Sequence, residues 1–251
     1  MRLPATISLG IASYLLFLLL NLPAQQVLGW VSGSGSEIPL TFDRPSGTIW
    51  SGEAEKAIYQ RMPLGKIKWR FKPASLLLGR LSYEIELTEA GQKVTGTAQA
   101  RLGGGYWLEE VQGLILAESI PQMIGQKQFS IRGKVDMNDV SISYDDGRLN
   151  RTEGQVRWLD ATIESPLNLK VGDLQADLTT DDNGTIAAEI KDLKGATAIK
   201  AEARLSIDGN FQIDGTVKPS SRTDPGLNSA LGVIGRKKPD GSFQLKYSGR
   251  I

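Results

Sequence analysis

Two hydrophobic patterns divide the chain. The first is continuous: no charged residue interrupts the sequence from Leu3 to Ser36, and its centre reads Leu15-Leu16-Phe17-Leu18-Leu19-Leu20. Residues of this kind favour insertion by about 0.3–0.6 kcal/mol each at a bilayer centre, and the run reaches the ~20 residues that a spanning helix needs. Arg2 and the α-amino group precede it, and the first later charge is Glu37. That asymmetry predicts a cytoplasmic N-terminus with the body of the protein across the membrane. A cleaved signal peptide is the rival, but Pro23-Ala24-Gln25 fits a small-x-small cleavage site poorly, which favours an uncleaved anchor. A helix buried in a protein core is disfavoured because every face of the run is apolar.

The second pattern has period two. Leu81, Tyr83, Ile85 and Leu87 alternate with Arg80, Ser82, Glu84 and Glu86, and Ile199 through Ile207 alternate as strictly with Lys200 through Asp208. Phe243, Leu245 and Tyr247 repeat the pattern near the C-terminus. Runs of this type are strands with one apolar and one solvated face, the signature of antiparallel sheet. Turn residues fall between them: Asp146-Gly147, Asn183-Gly184, Asp208-Gly209 and Asp240-Gly241. Asp208-Gly209 predicts a tight two-residue hairpin. Helical signal is sparse, with one turn in residues 118–125 and a short helix in 224–235, where Asp224 is the N-cap and Pro225 takes N1.

These patterns predict an all-β protein: one N-terminal transmembrane helix, then a long, curved, mostly antiparallel sheet with one or two short helices. The expected boundaries are 1–30 for the cytoplasmic start and anchor, 31–37 for a Gly/Ser linker, and 38–251 for the β domain. An internal duplication is also visible. "GKIKW" (65–69) recurs as "GQVRW" (154–158), and Gly79 and Gly172 are each followed by apolar residues at alternate positions. The domain then consists of two related units, about 38–135 and 136–251. In both, the apolar face must be covered, by folding on itself or by curling into a groove for acyl chains or a partner's strand. The candidate face residues are Leu81, Tyr83, Ile85 and Leu87 with their counterparts Leu174, Ala176 and Leu178.

Composition narrows the chemistry. The net charge of +1 comes from evenly mixed Lys, Arg, Asp and Glu, so no basic field points to nucleic acid. There is no cysteine and no histidine. Thiol nucleophiles, Cys-ligated zinc, disulfides, Ser-His-Asp triads and histidine-based metal sites are therefore absent, and an enzyme would have only carboxylates, Lys or Tyr to work with. The expectation is no catalytic site, no cofactor and no metal.

The remaining motifs weaken under the same test. "SGTIWSGEA" (46–54) places Trp50 between Gly47 and Gly52. Ser51 lacks the base a nucleophile requires, which leaves a ligand-stacking tryptophan or a strand with a glycine bulge whose tryptophan covers the core edge; the second reading is favoured. The carboxylate pairs Glu109-Glu110, Asp145-Asp146 and Asp181-Asp182 mostly run into glycine turns and read as solvated turn residues. "LGGGYW" (102–107) has no following Lys-Ser/Thr, and "GRKKP" (235–239) is a short charged loop.

Taken in order, the N-terminal helix ending in "LP", "SGTIWSGEA", "KWRFKPASLLLGRL", "EGQVRWLDA" and the closing "LGVIG…DGSFQLKYSGRI" resemble protein N of the bacterial type II secretion system. The residues that carry the resemblance are Gly47, Trp50, Gly52, Trp69, Pro73, Gly79, Gly154, Trp158, Gly241 and Gly249. The resemblance implies a single-pass inner-membrane accessory component with a periplasmic β domain. Its role would be to support export of folded proteins across the outer membrane through contacts with other components of the inner-membrane platform. A more distant similarity to AsmA-like envelope proteins implies an alternative, a lipid-binding or lipid-transfer module using the apolar β groove.

Overall fold

A computed structural model describes residues 5–33, 40–59, 62–101, 104–123, 130–145, 148–165, 169–193, 197–219, 231–232 and 235–250. The chain divides into two compact units, Met1–Gly91 and Gln92–Ile251.

In the first unit the apolar N-terminal run is not one helix. It forms α1 (Ala5–Leu20) and α2 (Ala24–Gly33), broken at Asn21-Leu22-Pro23. Pro23 has no N–H to give and disfavours helix at the residue before it. The Asn21 amide and its side-chain Nδ2 both turn back onto the Phe17 carbonyl, at 3.1 and 2.8 Å, closing the last turn of α1. The single expected transmembrane helix is corrected accordingly: among the described residues, no helix is long and apolar enough to cross a membrane. Of the expected linker, residues 31–33 belong to α2, and 34–37 lie outside the described residues.

The strands of this unit are β1 (Leu40–Asp43), β2 (Ser46–Gly47), β3 (Ser51–Tyr59), β4 (Met62–Phe71) and β5 (Arg80–Glu89). They pair antiparallel in the order β1-β3-β4-β5, with β2 folded against β3. Ala54, Ala57 and Ile67 form the core, flanked by Leu40, Phe42, Leu64, Trp69, Ile85 and Leu87. Register explains the grouping: Ala54, Ile67 and Leu87 stand in one row across three strands, and Gly52, Trp69 and Ile85 in the next.

The second unit is an antiparallel meander. It runs through β6 (Gln92–Arg101), β7 (Tyr106–Leu116), the short helix α3 (Ile120–Met123), β8 (Ser130–Asp145), β9 (Arg148–Ser165), β10 (Leu169–Thr180), β11 (Ile186–Asp192), β12 (Thr197–Leu205) and β13 (Asn210–Pro219). The short β14 (Arg236–Lys237) and β15 (Phe243–Arg250) complete it, with β15 pairing β13 and β14 on the outside. α3 occupies the expected helical stretch 118–125. Of 224–235, only 231–232 and Gly235 lie within the described residues; Leu231 there is helical and packs into a core with Leu169, Ile199, Val217 and Phe243.

Glycine turns join these strands, and they share one form. Gly104, Gly184, Gly209 and Gly241 each donate an N–H to the carbonyl three residues earlier, and all have positive φ. In each, the glycine that closes the hydrogen-bonded turn is left-handed, a conformation glycine adopts without steric cost. The Asp208-Gly209 turn is therefore wider than a two-residue hairpin: it spans Ser206–Gly209 and takes in Ile207, which is 48% exposed. The Asp146-Gly147 turn lies outside the described residues.

β-Bulges interrupt the long strands. The β8–β9 ladder shifts register between Arg132 and Lys134 and again between Asn138 and Ser141. Gly133 and Asp139 sit at those shifts with φ of 120° and 51°. Each bulge bends its strand and increases the local twist.

Candidate functional site

The "SGTIWSGEA" stretch forms a small hairpin, β2 against the start of β3, rather than one strand with a glycine bulge. Ser46 pairs with Glu53 and Gly47 with Gly52, and the Thr48 amide closes the turn on the Ser51 carbonyl at 2.9 Å. Trp50 lies in this turn and not in a strand. Both glycines are required sterically. A Cβ on Gly47, whose φ is 85°, would stand 2.6 Å from the Ser51 carbonyl oxygen, and one on Gly52 would strike the Trp69 ring and the Ser46 carbonyl. Trp69 lies against Gly52 and donates its indole N–H to the Thr48 carbonyl at 3.0 Å.

This hairpin holds the N-terminal helices. The Trp50 indole N–H donates to the Leu19 carbonyl at 2.7 Å, one of the four terminal α1 carbonyls that a helix cannot satisfy internally. The Ile49 amide donates to the Leu22 carbonyl at 3.0 Å, and Pro23 bridges to Thr48. Ala24, at the start of α2, is fully buried. Behind Trp50 the aromatic rings continue inward, Phe71 at 4.9 Å between centroids and Tyr83 a further 5.2 Å on. Burial raises the Tyr83 phenol above its usual range. The site is a mechanical junction between helix and sheet, made of two indole hydrogen bonds and a row of tilted rings.

The other marked residues have separate structural roles. Pro73 opens the 3-10 turn Pro73–Leu78, and Gly79 caps it with φ 66°. Gly154 sits in the β8–β9 bulge with φ 121°, and Trp158 donates its indole N–H to the Arg132 carbonyl at 2.9 Å. Gly65 and Gly154 thus share a positive φ and a tryptophan four residues on, whereas Gly79 caps a turn and Gly172 sits at a register shift within β10. Gly241 closes the last turn, and Gly249 lets the Phe211 ring lie against the β15 backbone, where a Cβ would come within 2.8 Å of it.

Leu81, Tyr83, Ile85 and Leu87 are half-buried on β5, and Ile85 and Leu87 belong to the first unit's core. Leu174, Ala176 and Leu178 are half-buried on β10, in register with Trp158, Val156 and Gly154 on β9. None of the described cavities includes these seven residues. A cavity of about 520 Å3 is lined by charged side chains, among them Arg101, Asp145, Arg151, Asp181 and Asp182, and one of about 390 Å3 lies beside Glu109, Glu110 and Glu153.

The carboxylate pairs are largely local. Asp181 Oδ1 accepts the Asn183 and Thr185 amides at 2.9 and 2.8 Å, Glu109 accepts from Gln99, and Glu110 takes a bulge position with φ 54°. Asp146 lies outside the described residues. Among the described residues no group of carboxylates is placed to hold a metal ion. Of the two short motifs, Gly104 and Gly105 precede β7, and Arg236 and Lys237 form β14, with Lys237 over the Phe243 ring.

Sequence alone did not reveal the polar face of the second unit, because its partners meet only through register. Asp177 on β10 accepts from Lys191 at 2.7 Å, Gln155 at 2.9 Å and Gln175 at 2.8 Å. Led by the Lys191 hydrogen bond, these donors hold its carboxyl at about 2, against an ordinary 3.8. A carboxyl depressed in the folded state stabilises above its unfolded pKa and loses that contribution as pH falls towards its folded one. Asp177→Asn is therefore expected to lower the unfolding midpoint near neutral pH, with the gap to the parent closing between about pH 4 and 2. A gap that stays constant across that range would remove Asp177 as the titrating group.

A family model described as "Type II secretion system (T2SS), protein N" matches residues 39–246, the whole β region from just before β1 into β15. The chain belongs to this family. Three relatives carry the name "Type II secretion system protein N". The protein from Aeromonas hydrophila is 26% identical over 253 residues, covering 97% of both chains. That from Klebsiella pneumoniae is 23% identical over 256 residues, 97% of this chain and 95% of its own. The Vibrio cholerae serotype O1 protein is 23% identical over 211 residues, 82% of each. No solved structure matches. The family assignment makes the chain a type II secretion component, and the sequence resemblance to this family holds.

Proposed function

We propose that this secretion component is anchored in the inner membrane through α1, with its N-terminus in the cytoplasm and its β units in the periplasm. It acts without catalysis, supporting export of folded proteins across the outer membrane by contacts with other components of the inner-membrane platform. The observation that carries this reading is the junction at Trp50. An uncharged, mainly apolar helix, exposed at every described side chain from Ile7 to Leu20, is fastened by hydrogen bonds to a folded β body. A helix hydrophobic all round needs an apolar medium, and a membrane supplies one. At about 24 Å the 16 residues of α1 fall short of the ~30 Å hydrocarbon core, so the anchor proposed here requires the bilayer to thin locally around it.

The anchor 1–30, linker 31–37, whose first three residues are helical in α2, and β region 38–251, with related halves 38–135 and 136–251, complete the proposed organisation. Paired charges cross neighbouring strands, as in Asp136–Arg157 and Asp214–Lys246, and in this proposal the more exposed of them supply the polar surface for protein contacts. The lipid-transfer alternative gains no such support, since the described cavities are lined mainly by polar side chains.

Crosslinking in intact envelopes tests the proposal. A photoreactive residue on the exposed faces of β8 or β12 is expected to capture other type II secretion components, and secretion of the apparatus's substrates is expected to fall when the chain is removed. Recovery of no apparatus component, with secretion intact, would overturn it.

A further inference from the structure

The 3-10 turn Pro73–Leu78 shows three consecutive leucines to solvent: Leu76 is 47% exposed, Leu77 90% and Leu78 74%. A surface turn ordinarily carries polar residues, and contiguous exposed apolar side chains mark an interaction surface. The turn is not loosely held. The Lys72 amide donates to the Ser82 carbonyl at 2.8 Å, Ser75 Oγ donates to the Lys72 carbonyl at 2.7 Å, and Gly79 caps the C-terminal end. The leucines are thus presented on a rigid support.

The position of the turn in the first unit identifies its partner. It starts two residues after Phe71, whose ring is 4.9 Å from Trp50, and Trp50 is hydrogen-bonded to the last turn of α1. The exposed leucines and the end of the apolar helix therefore lie at the same end of this sheet. Tryptophan with its ring in apolar surroundings and its N–H on a carbonyl is the residue type enriched at membrane–water interfaces. Arg70 and Lys72 lead into the turn and both approach the Glu84 carboxylate, at 3.9 and 3.4 Å, and basic side chains at this position suit anionic headgroups.

We propose that the Leu76–Leu78 turn is a second membrane contact, a hydrophobic wedge that enters the periplasmic face of the bilayer holding α1. The inference rests on α1 lying in that membrane. The wedge fixes the first unit's orientation on the surface, so that helix and turn together give two points of attachment where a lone helix would allow free rotation. Interfacial segments of this kind bury their apolar side chains about 5–10 Å into the headgroup–acyl boundary.

The chain contains no cysteine, so single-cysteine variants report unambiguously. Ile11→Cys in α1, Leu77→Cys in the turn and Ala90→Cys, exposed at the opposite end of β5, are each labelled with an environment-sensitive fluorophore. The full chain is reconstituted in phosphatidylethanolamine–phosphatidylglycerol vesicles, with or without nitroxide-labelled lipid. Labels at 11 and 77 are expected to emit at shorter wavelength and to lose intensity to the nitroxide lipid, and the label at 90 is expected to do neither. Quenching at 11 with a label at 77 that behaves like the one at 90 would overturn the wedge while leaving the anchor in place. No quenching at 11 would overturn the anchor itself. A label at 77 protected from aqueous iodide but not quenched by nitroxide lipid would assign the turn to a second copy of the chain and also overturn the proposal.

Discussion

Gly154→Val is expected to abolish the cooperative fold of the second unit or to lower its stability severely. At φ 121° an L side chain is strained before any contact is counted, and a β-branched one most of all. The new Cβ would also stand 2.5 Å from the Asp139 carbonyl oxygen and 2.7 Å from the Val140 Cα. Both are backbone atoms held by the β8–β9 ladder, so neither can rotate away as the tip of a side chain would. Backbone strain and overpacking together cost roughly 3–5 kcal/mol, a large share of the 5–15 kcal/mol that holds a typical domain together. Gly79→Ala provides the comparison. Its φ of 66° is also left-handed, but no atom lies within 4 Å of the new Cβ, so only the conformational cost of about 1–2 kcal/mol remains. Urea unfolding of the full chain in detergent, followed by tryptophan fluorescence, separates the two. Equal midpoints for the two variants would show that the β8–β9 bulge relaxes, and would sink the steric account.

That comparison also marks how far the sequence could be read. The alternation of Leu81, Tyr83, Ile85 and Leu87 located β5, and that of Ile199, Ala201, Ala203 and Leu205 located β12, because period two is a local property of a strand. Among the described residues the Asp-Gly and Asn-Gly pairs located the turns at Gly184, Gly209 and Gly241, but a left-handed glycine closes each of these after a hydrogen-bonded turn, which draws one more residue out of the strand. Ile207 therefore looked like a core residue and is a turn residue. The bulges at Glu110, Asp139 and Asp160 put non-glycine residues at positive φ, and the glycines that lie against them, Gly96, Gly154 and Gly133, stand on the neighbouring strand and so far away in sequence. The Trp50 contact was hidden for a different reason. Its partner is a backbone carbonyl 31 residues away, and nothing in the identity of Leu19 signals that its oxygen needs a donor. The break at Pro23 was legible as chemistry, but the uninterrupted hydropathy around it suggested one continuous helix.

The same junction governs the second large effect, which concerns partition into membrane instead of stability. Ile11→Arg combined with Leu15→Arg is expected to release the chain from lipid. Both side chains are exposed on α1, at 51% and 58%, so neither substitution removes a packing contact within the protein. Each arginine near a helix centre costs about 2.5–3.5 kcal/mol on the insertion scale, and the pair would shift partition by about 10^4. The remaining hold on the bilayer would be the turn at Leu76–Leu78, and a single short apolar wedge gives only reversible binding. Co-flotation of the full chain with phospholipid vesicles measures the outcome: the parent is expected to float and the double variant to stay with the soluble fraction. Indole fluorescence confirms that the β units remain folded, since Trp50, Trp69, Trp107 and Trp158 all lie outside α1. Flotation of the double variant as complete as the parent's would show that α1 is not what holds this protein to lipid, and the exposed apolar surface of α1 would then have to be covered by protein.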